Sequence, residues 1–308
     1  MSIASVSYRP PSIEEIRQAR KKRIVITMYT VYGDESHDSK EKEIYVVDGL
    51  VGSQERWDDF EIRWKERTGG KIFHAADCES DRGDFKNTPH IENQALYKDL
   101  TGIIADSNLI GYGAAIDINA YNSAFPEIVS GYSYLFCFRV VIEHFGNVAG
   151  ILIPRDRLKF NFHINPQIEH TAAAMYQLYR DSDELKYAPF LDEISYVSMN
   201  HVGVQAADLF AREVLKWAKI YASVNKRRIR KSLARLVQTG RFKMEFFVDE
   251  YFQDYKQKIP AIETVAGLTQ KDYEQWLLEE GVKHNASNST RYLTHVYEME
   301  RKRKRSEG

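Results

Sequence analysis

Cysteine is nearly absent from this chain: Cys78 and Cys137 are the only two in 308 residues. Two cysteines support neither a disulfide framework nor a cysteine-ligated zinc site, and they predict a reducing compartment. Long apolar runs are missing too. None reaches the ~18–20 residues that a membrane-spanning helix requires. The opening MSIASVSYRPPSIEEIRQARKKR lacks the charged-then-apolar order of a secretory signal, so the expectation is a soluble, cytoplasmic protein with no membrane partner. No internal repeat or low-complexity segment is visible. Net charge is almost nil, with 43 Lys/Arg against 44 Asp/Glu.

What is present is the material of an ordinary folded domain. Hydrophobic residues make up 43% and charged residues 28%, which excludes wholesale disorder, a coiled-coil rod or a collagen-like chain. The length exceeds the ~100–200 residues typical of one domain, which leaves one enlarged domain or a domain with an appendage. The near-zero charge is itself an average. Residues 225–308 hold 18 Lys/Arg and 12 Asp/Glu, or +6, so the first 224 residues carry −7. The runs NKRRIRK (225–231) and RKRKR (301–305) concentrate the positive charge.

Hydrophobic periodicity orders the elements. Ser12 and Glu15 have capping-box spacing before a short polar helix over roughly 13–22. IVITMYTVY (24–32), rich in β-branched and aromatic residues, reads as a buried strand that stops at Gly33, Asp34, Glu35 and Ser36. IYVVDGLVG (44–52) completes an antiparallel hairpin. Residues 54–67 form a helix closed by Gly69–Gly70, KIFHAADCESDRGDF is irregular, and 91–106 form a second helix. Strands follow at 109–118, 158–165 and in ISYVSMN. Helices follow at 132–145, from Ile168 through IEHTAAAMYQLYR, and over VGVQAADLFAREVLKWAKIYA.

With the insertion after the second strand set aside, the order is β-β-β-α-β-α-β-α. That order resembles ribonuclease H-like folds, in which a mixed five-stranded sheet is flanked by helices on both faces. The predicted domains are an N-terminal helical arm (1–22), a ribonuclease H-like α/β domain (23–222), and a basic, mostly helical C-terminal appendage (223–308) with a disordered tail.

Two motifs carry chemistry. Asp34-Glu35-Ser36 at a strand end sets two carboxylates where strand ends open onto clefts, and neighbouring carboxylates repel unless they share a cation. Read alone, Gly-Asp-Glu-Ser is also ordinary turn chemistry. In VGVQAADLFARE (202–213), Gln205 and Asp208 are three positions apart and share a helix face, beside alanines small enough for close packing on a sheet. An inward Asp there needs a partner or an ion. The alternative partner is a neighbouring cation such as Arg212.

Together YGDES, FHAAD (73–77) and VQAADLFA resemble the family catalogued as domain of unknown function 3800, over about Tyr29 to Lys219. Its marks are an Asp-Glu pair at the first strand, a His-centred segment and a late Gln-x-x-Asp. The resemblance implies a ribonuclease H-like scaffold and membership of a group found in mobile-element and defence contexts, with no settled activity. Two positions depart from the pattern. His37 stands where many members have Gly, and FHIN puts His163 and Asn165 where members place an acid.

On this resemblance the expected function is a divalent-metal-dependent nuclease acting on DNA or RNA. Such cleavage is served by two ions ~3.5–4 Å apart held by carboxylates. Asp34 and Asp208 would be the central ligands of Mg2+ or Mn2+, with imidazole at His163 suiting manganese. Glu35 joins the catalytic set but ranks below Asp34, because strand alternation turns it to the other face unless the strand ends before it. Gln205 would orient a water or bond Asp34. Glu143 lies near where such enzymes supply another acid, and His163, Asn165 and Glu169 compete for the remaining coordination. The alternatives are a non-catalytic nucleic-acid-binding or sensor module on the same fold, and a small phosphoester hydrolase.

Other residues carry weaker signals. His74 and Asp77 would line the same cleft or lie on a surface loop. Cys78 has no defined His/Asn partner for a nucleophile. His90, His144, His170 and His201 lack metal-ligand spacing, and GYG at 111–113 lacks the context of a phosphate-binding loop. Lys226, Arg227, Arg228, Arg230 and Lys231 are the candidate grip on a phosphate backbone, or else a solvated helix face.

Overall fold

The computed structural model describes residues 28–38, 43–125, 132–152, 157–166, 168–182, 185–223, 228–258 and 270–283, with isolated residues beyond them. The polar helix expected at 13–22, and with it the whole N-terminal arm, lies outside the described residues.

Alternation at period two builds the sheet and assigns its faces. β1 (Met28–Gly33), β2 (Glu35–His37) and β3 (Ile44–Ser53) are followed by an insertion of α1 (Gln54–Thr68), α2 (Ala75–Glu79) and α3 (His90–Asp106). β4 (Ile110–Asp117) leads into α4 (Ile118–Ala124) and α5 (Tyr132–Leu152), then β5 (Arg157–His163) into α6 (Glu169–Arg180). β6 (Leu191–Val197) precedes α7 (Val202–Ala222). The chain continues through α8 (Lys231–Gln238), β7 (Phe242–Phe247), α9 (Asp249–Lys258) and α10 (Gln270–Glu280).

The sheet order is β6-β5-β1-β3-β4-β7, with β2 also pairing with β3. β3 runs antiparallel to β1, β2 and β4, whereas β5 is parallel to β1, β6 to β5 and β7 to β4. Val31, Val47 and Val51 face a core built with α5, α6 and α9. Ile44, Val46 and Leu50 face a second core built with α1, α3, α7 and α8. The result is a mixed α/β fold with helices on both faces. In the second core, fully buried Phe60 and Phe210 each contribute roughly 1.5–3 kcal/mol of apolar transfer. Among the described residues no helix is long and apolar enough to cross a membrane.

Local chemistry accounts for the helix limits. Trp57, Phe60 and Trp64 recur at helical spacing and are the buried aromatic residues of α1, which ends where Gly69 adopts a left-handed φ of 63°. Asp117, at the end of β4, is spent as the N-cap of α4, accepting from the amides of Asn119 and Ala120.

The sheet holds seven strands where the sequence predicts five. One extra strand arises because the first hairpin strand is interrupted at Asp34. The other, β7, comes from the C-terminal region, which is not an appendage. Leu236, Phe242, Phe247 and Phe252 are buried in the same two cores. The charge split reflects pairing across the fold: Arg235 pairs with Asp106 at 2.8 Å and Arg230 with Glu79 at 2.9 Å. The basic segment neutralises acids of the body it packs against.

Candidate active site

The interruption of the first strand builds the site. Tyr32 pairs with Leu50 and Glu35 with Val47 in one unbroken register, which sets Asp34 directly opposite Asp48. Facing residues of an antiparallel pair project to the same side, here the side covered by α7. Asp48 donates its amide to the Asp34 carbonyl at 3.0 Å, but the Asp34 amide donates to the Asp48 carboxylate Oδ1 at 3.2 Å. Gly33 permits this crowding. A Cβ there would lie 2.6 Å from the Asp48 carbonyl oxygen and 2.4 Å from the Phe162 ring.

Two further elements close in. β5 lies parallel to β1 and ends at His163, whose Nδ1 is 3.2 Å from Asp34 Oδ1. α7 brings Asp208, whose Oδ2 accepts from the Ala75 amide at the start of α2, at 2.7 Å. Asp34, Asp48 and Asp208 are 3%, 0% and 7% exposed, so three carboxylates share a nearly dry space. Asp48 Oδ2 has no hydrogen-bond partner.

The electrostatics register this crowding. Burial, then the Asp34 charge, push the Asp48 carboxyl well above its ordinary range, with Asp208 and Glu35 adding to the effect. Burial and then Asp34 raise Asp208 to about 7, against the opposing pull of His74, the Ala75 amide and His163. The hydrogen bond to Asp34 raises the His163 imidazole.

The other sequence candidates separate. Gln205 does not bond Asp34 and is committed elsewhere: its Oε1 accepts from Trp64 Nε1 and the Phe73 amide, both at 3.0 Å, and its Nε2 donates to the Met199 carbonyl at 2.8 Å. It positions α7 against α1 and the loop before α2. Glu35 lies on the opposite face, where Asn165 Nδ2 donates to its Oε1 at 2.8 Å. Burial, then the charges of Glu169 and Glu35, raise the Tyr196 hydroxyl, while the Glu35 amide donates to Asp34 Oδ1 at 2.9 Å. Glu143 is exposed and acts on Tyr187.

His74 is half-exposed, 3.7 Å from Asp77, and its charge is felt at Asp208. Cys78 is buried and donates to the Asn93 carbonyl; burial pushes its thiol up to about 12, which disqualifies it as a nucleophile. His144 stacks on Tyr112 at 3.8 Å, and His90 pairs with Asp81 at 2.7 Å. The His170 side chain lies outside the described residues. So do Lys226 and Arg227. Arg228 and Lys231 are exposed. Arg230 is bound inward to Glu79 and to Glu213 at 3.4 Å, and lies over the Tyr97 ring.

Asp48 is the site residue that the motifs do not reveal. Its signal was available as one acid inside the otherwise apolar run IYVVDGLVG, where an unpaired charge is costly.

Among the described residues, no three His, Cys, Asp or Glu side chains stand close enough together to cage a metal ion as they are. The donor set is nonetheless suited to a hard divalent cation: carboxylate oxygens, one of them orphaned, with an imidazole at the edge. No protein-family model matches the chain, and no curated protein is significantly similar to it.

Proposed function

We propose that this chain is a divalent-metal-dependent nuclease on a ribonuclease H-like scaffold, akin to the domain of unknown function 3800 family. The observation that carries the reading is the convergence of Asp34, Asp48 and Asp208 in a buried space at the carboxyl end of β1, with one carboxylate oxygen unpartnered. Carboxylates kept crowded and desolvated at a stability cost are a mark of functional sites. The scaffold reading is supported by β1, β3, β4, β5 and β6, a mixed five-stranded unit with helices on both faces once β7 and the insertion α1–α3 are set aside.

Magnesium or manganese held by Asp34, Asp48 and Asp208, with His163 beside Asp34, would polarise a phosphodiester and acidify an attacking water. The chain's own contribution is positioning. Gln205 and the Ala75 amide fix Asp208 against the strand ends, and Gly33 lets Asp34 and Asp48 meet. Glu35 and Asn165 bond each other on the opposite face, and they and Glu169 fall outside the proposed liganding set. Arg228 and Lys231 remain the exposed cations of the proposed nucleic-acid contact.

The test is cleavage of labelled single-stranded and duplex DNA and RNA with manganese or magnesium against a chelator control. Cleavage should require the ion and fall at least ~100-fold in Asp34→Asn and Asp208→Asn. No cleavage of any substrate, or variants that cut as well as the parent, would overturn the proposal. The imidazole of His163 occupying Asp34 favours one rival, a nucleic-acid-binding module without catalysis, which would bind these substrates and leave them intact.

A further inference from the structure

A cavity of about 320 Å3 opens on the α7 side of the sheet, between β1, α1 and the loop that enters α7. Its size falls within the ~300–1,000 Å3 usual for small-ligand sites. Half-buried Tyr32 supplies the accessible aromatic side chain, backed by the buried Trp57 and Phe60, and Gln54, Glu61, Asn200 and His201 supply polar groups.

The cavity adjoins the carboxylates along two independent elements. Tyr32 precedes Asp34 by two residues on the same face of the strand, about 7 Å at strand rise. Gly203, also on the lining, precedes Asp208 by five residues, about 7.5 Å at helical rise. Both routes give the same short step from the acids.

The shape is maintained by specific contacts. The Tyr32 ring meets Trp57 edge-on, with centroids 4.8 Å apart, and its hydroxyl bonds the Asn161 side chain. Trp57 is anchored by its Nε1, which donates to the Thr30 carbonyl at 2.9 Å. A Cβ at Gly203 would fall 2.3 Å from the Tyr32 ring, so glycine there leaves the ring its place.

The chemistry of the lining selects the ligand class. No Lys or Arg lines the cavity and Glu61 stands at its rim, which disfavours a phosphate. The Tyr32 ring beside amide, carboxylate and imidazole groups suits a flat, neutral heteroaromatic ring, packed against the tyrosine and hydrogen-bonded at its edge. A nucleobase reaches a concave pocket only when it has left its stack. Resting on the nuclease reading, we propose that this cavity receives one unstacked base of the strand being cut. The substrate class is therefore single-stranded or locally unpaired nucleic acid.

The experiment measures binding in a chelator, so that nothing is cut, by fluorescence anisotropy of labelled 12-nucleotide single strands of DNA and RNA. In one series each strand carries a single abasic residue at successive positions. One position should weaken binding about 5- to 100-fold, the scale of one stacked base, and the others less than about twofold. The matching duplex should bind at least ~10-fold more weakly than the single strand. Tyr32→Leu should flatten the abasic profile. Gln54→Ala with Asn200→Ala, both at exposed positions, should reduce the peak without loss of folding.

A uniform profile, an unchanged peak in both variants, equal duplex binding or no binding would overturn the pocket assignment. A peaked profile without metal-dependent cleavage would leave the pocket standing and remove the nuclease reading. Cleavage with a uniform profile would do the reverse.

Discussion

Asp34 and Asp48 face each other across adjacent strands, and the carboxylate of Asp48 takes the amide proton of Asp34 that its own carbonyl would accept in a regular ladder. Like charges directly opposite in a sheet are destabilising, so the pair is held in place by the rest of the fold. Asp48 pays for the arrangement with an orphaned oxygen.

The first prediction concerns that cost. The folded chain keeps a proton on Asp48 at pH values where the unfolded chain, near 3.8, has released it. Stability attributable to this group therefore falls as pH rises above that value. Asp48→Asn should raise the melting temperature of metal-free protein by several degrees at pH 8, with a gap that closes towards pH 4. The same logic gives Asp208, raised by burial and by Asp34, a cost of the same sign that grows as pH rises. Equal melting temperatures at pH 8 would show that folding does not raise the Asp48 carboxyl.

Gln205 should prove a positioning residue. Gln205→Leu strands the Trp64 indole N–H and the Phe73 amide without their acceptor, at about 1–3 kcal/mol for each. Chemical denaturation should reveal that loss. Manganese affinity of the fraction that remains folded should change less than about threefold, in contrast to substitution of a ligand.

The elements legible in the sequence are those whose burial is periodic. Trp57, Phe60 and Trp64 announce α1, and the alternation of LKFNFHIN announces β5, because each pattern reports one covered face. Asp34 and Asp208 were legible as acids set at a strand end and on an apolar helix face. Asp48 stands out as one acid in an apolar run, but a strand buried on both faces has no alternation to show which face it takes, so its pairing with Asp34 is not legible. β7 was hidden because its short FKMEFF run sits amid charges whose partners, Asp106 and Glu79, lie more than a hundred residues away. Gln205 was visible as a polar residue on the right face, but its commitment to Trp64 and Phe73 depends on contacts far apart in the chain.

The cations of the 225–231 run should divide by role. Arg230→Ala leaves Glu213, 0% exposed, with Tyr97 and Ser232 as its named hydrogen-bond donors, and should cost about 3–5 kcal/mol. Arg228→Ala and Lys231→Ala should leave stability within ~0.5 kcal/mol while lowering the salt dependence of oligonucleotide binding. Denaturant titrations beside anisotropy at two salt concentrations separate the two classes.

Metal binding should be coupled to proton release. His163 holds a proton against Asp34 and Asp208 loses its own near pH 7, so an entering cation must displace protons from the site. Manganese affinity should therefore rise from pH 6 to pH 8. Calorimetry in buffers of different ionisation enthalpy should show protons leaving at pH 6.5, and a buffer-independent heat would refute the coupling.

The most direct measurement is calorimetric titration of manganese into the metal-free protein at pH 8, with Asp34→Asn, Asp48→Asn and Asp208→Asn in parallel. The carboxylate cluster predicts a saturable site in the parent, weakened by at least about tenfold in each variant while folding is retained. A parent that binds no manganese, or variants that bind as it does, would contradict the assignment of these three acids to a metal-dependent active site.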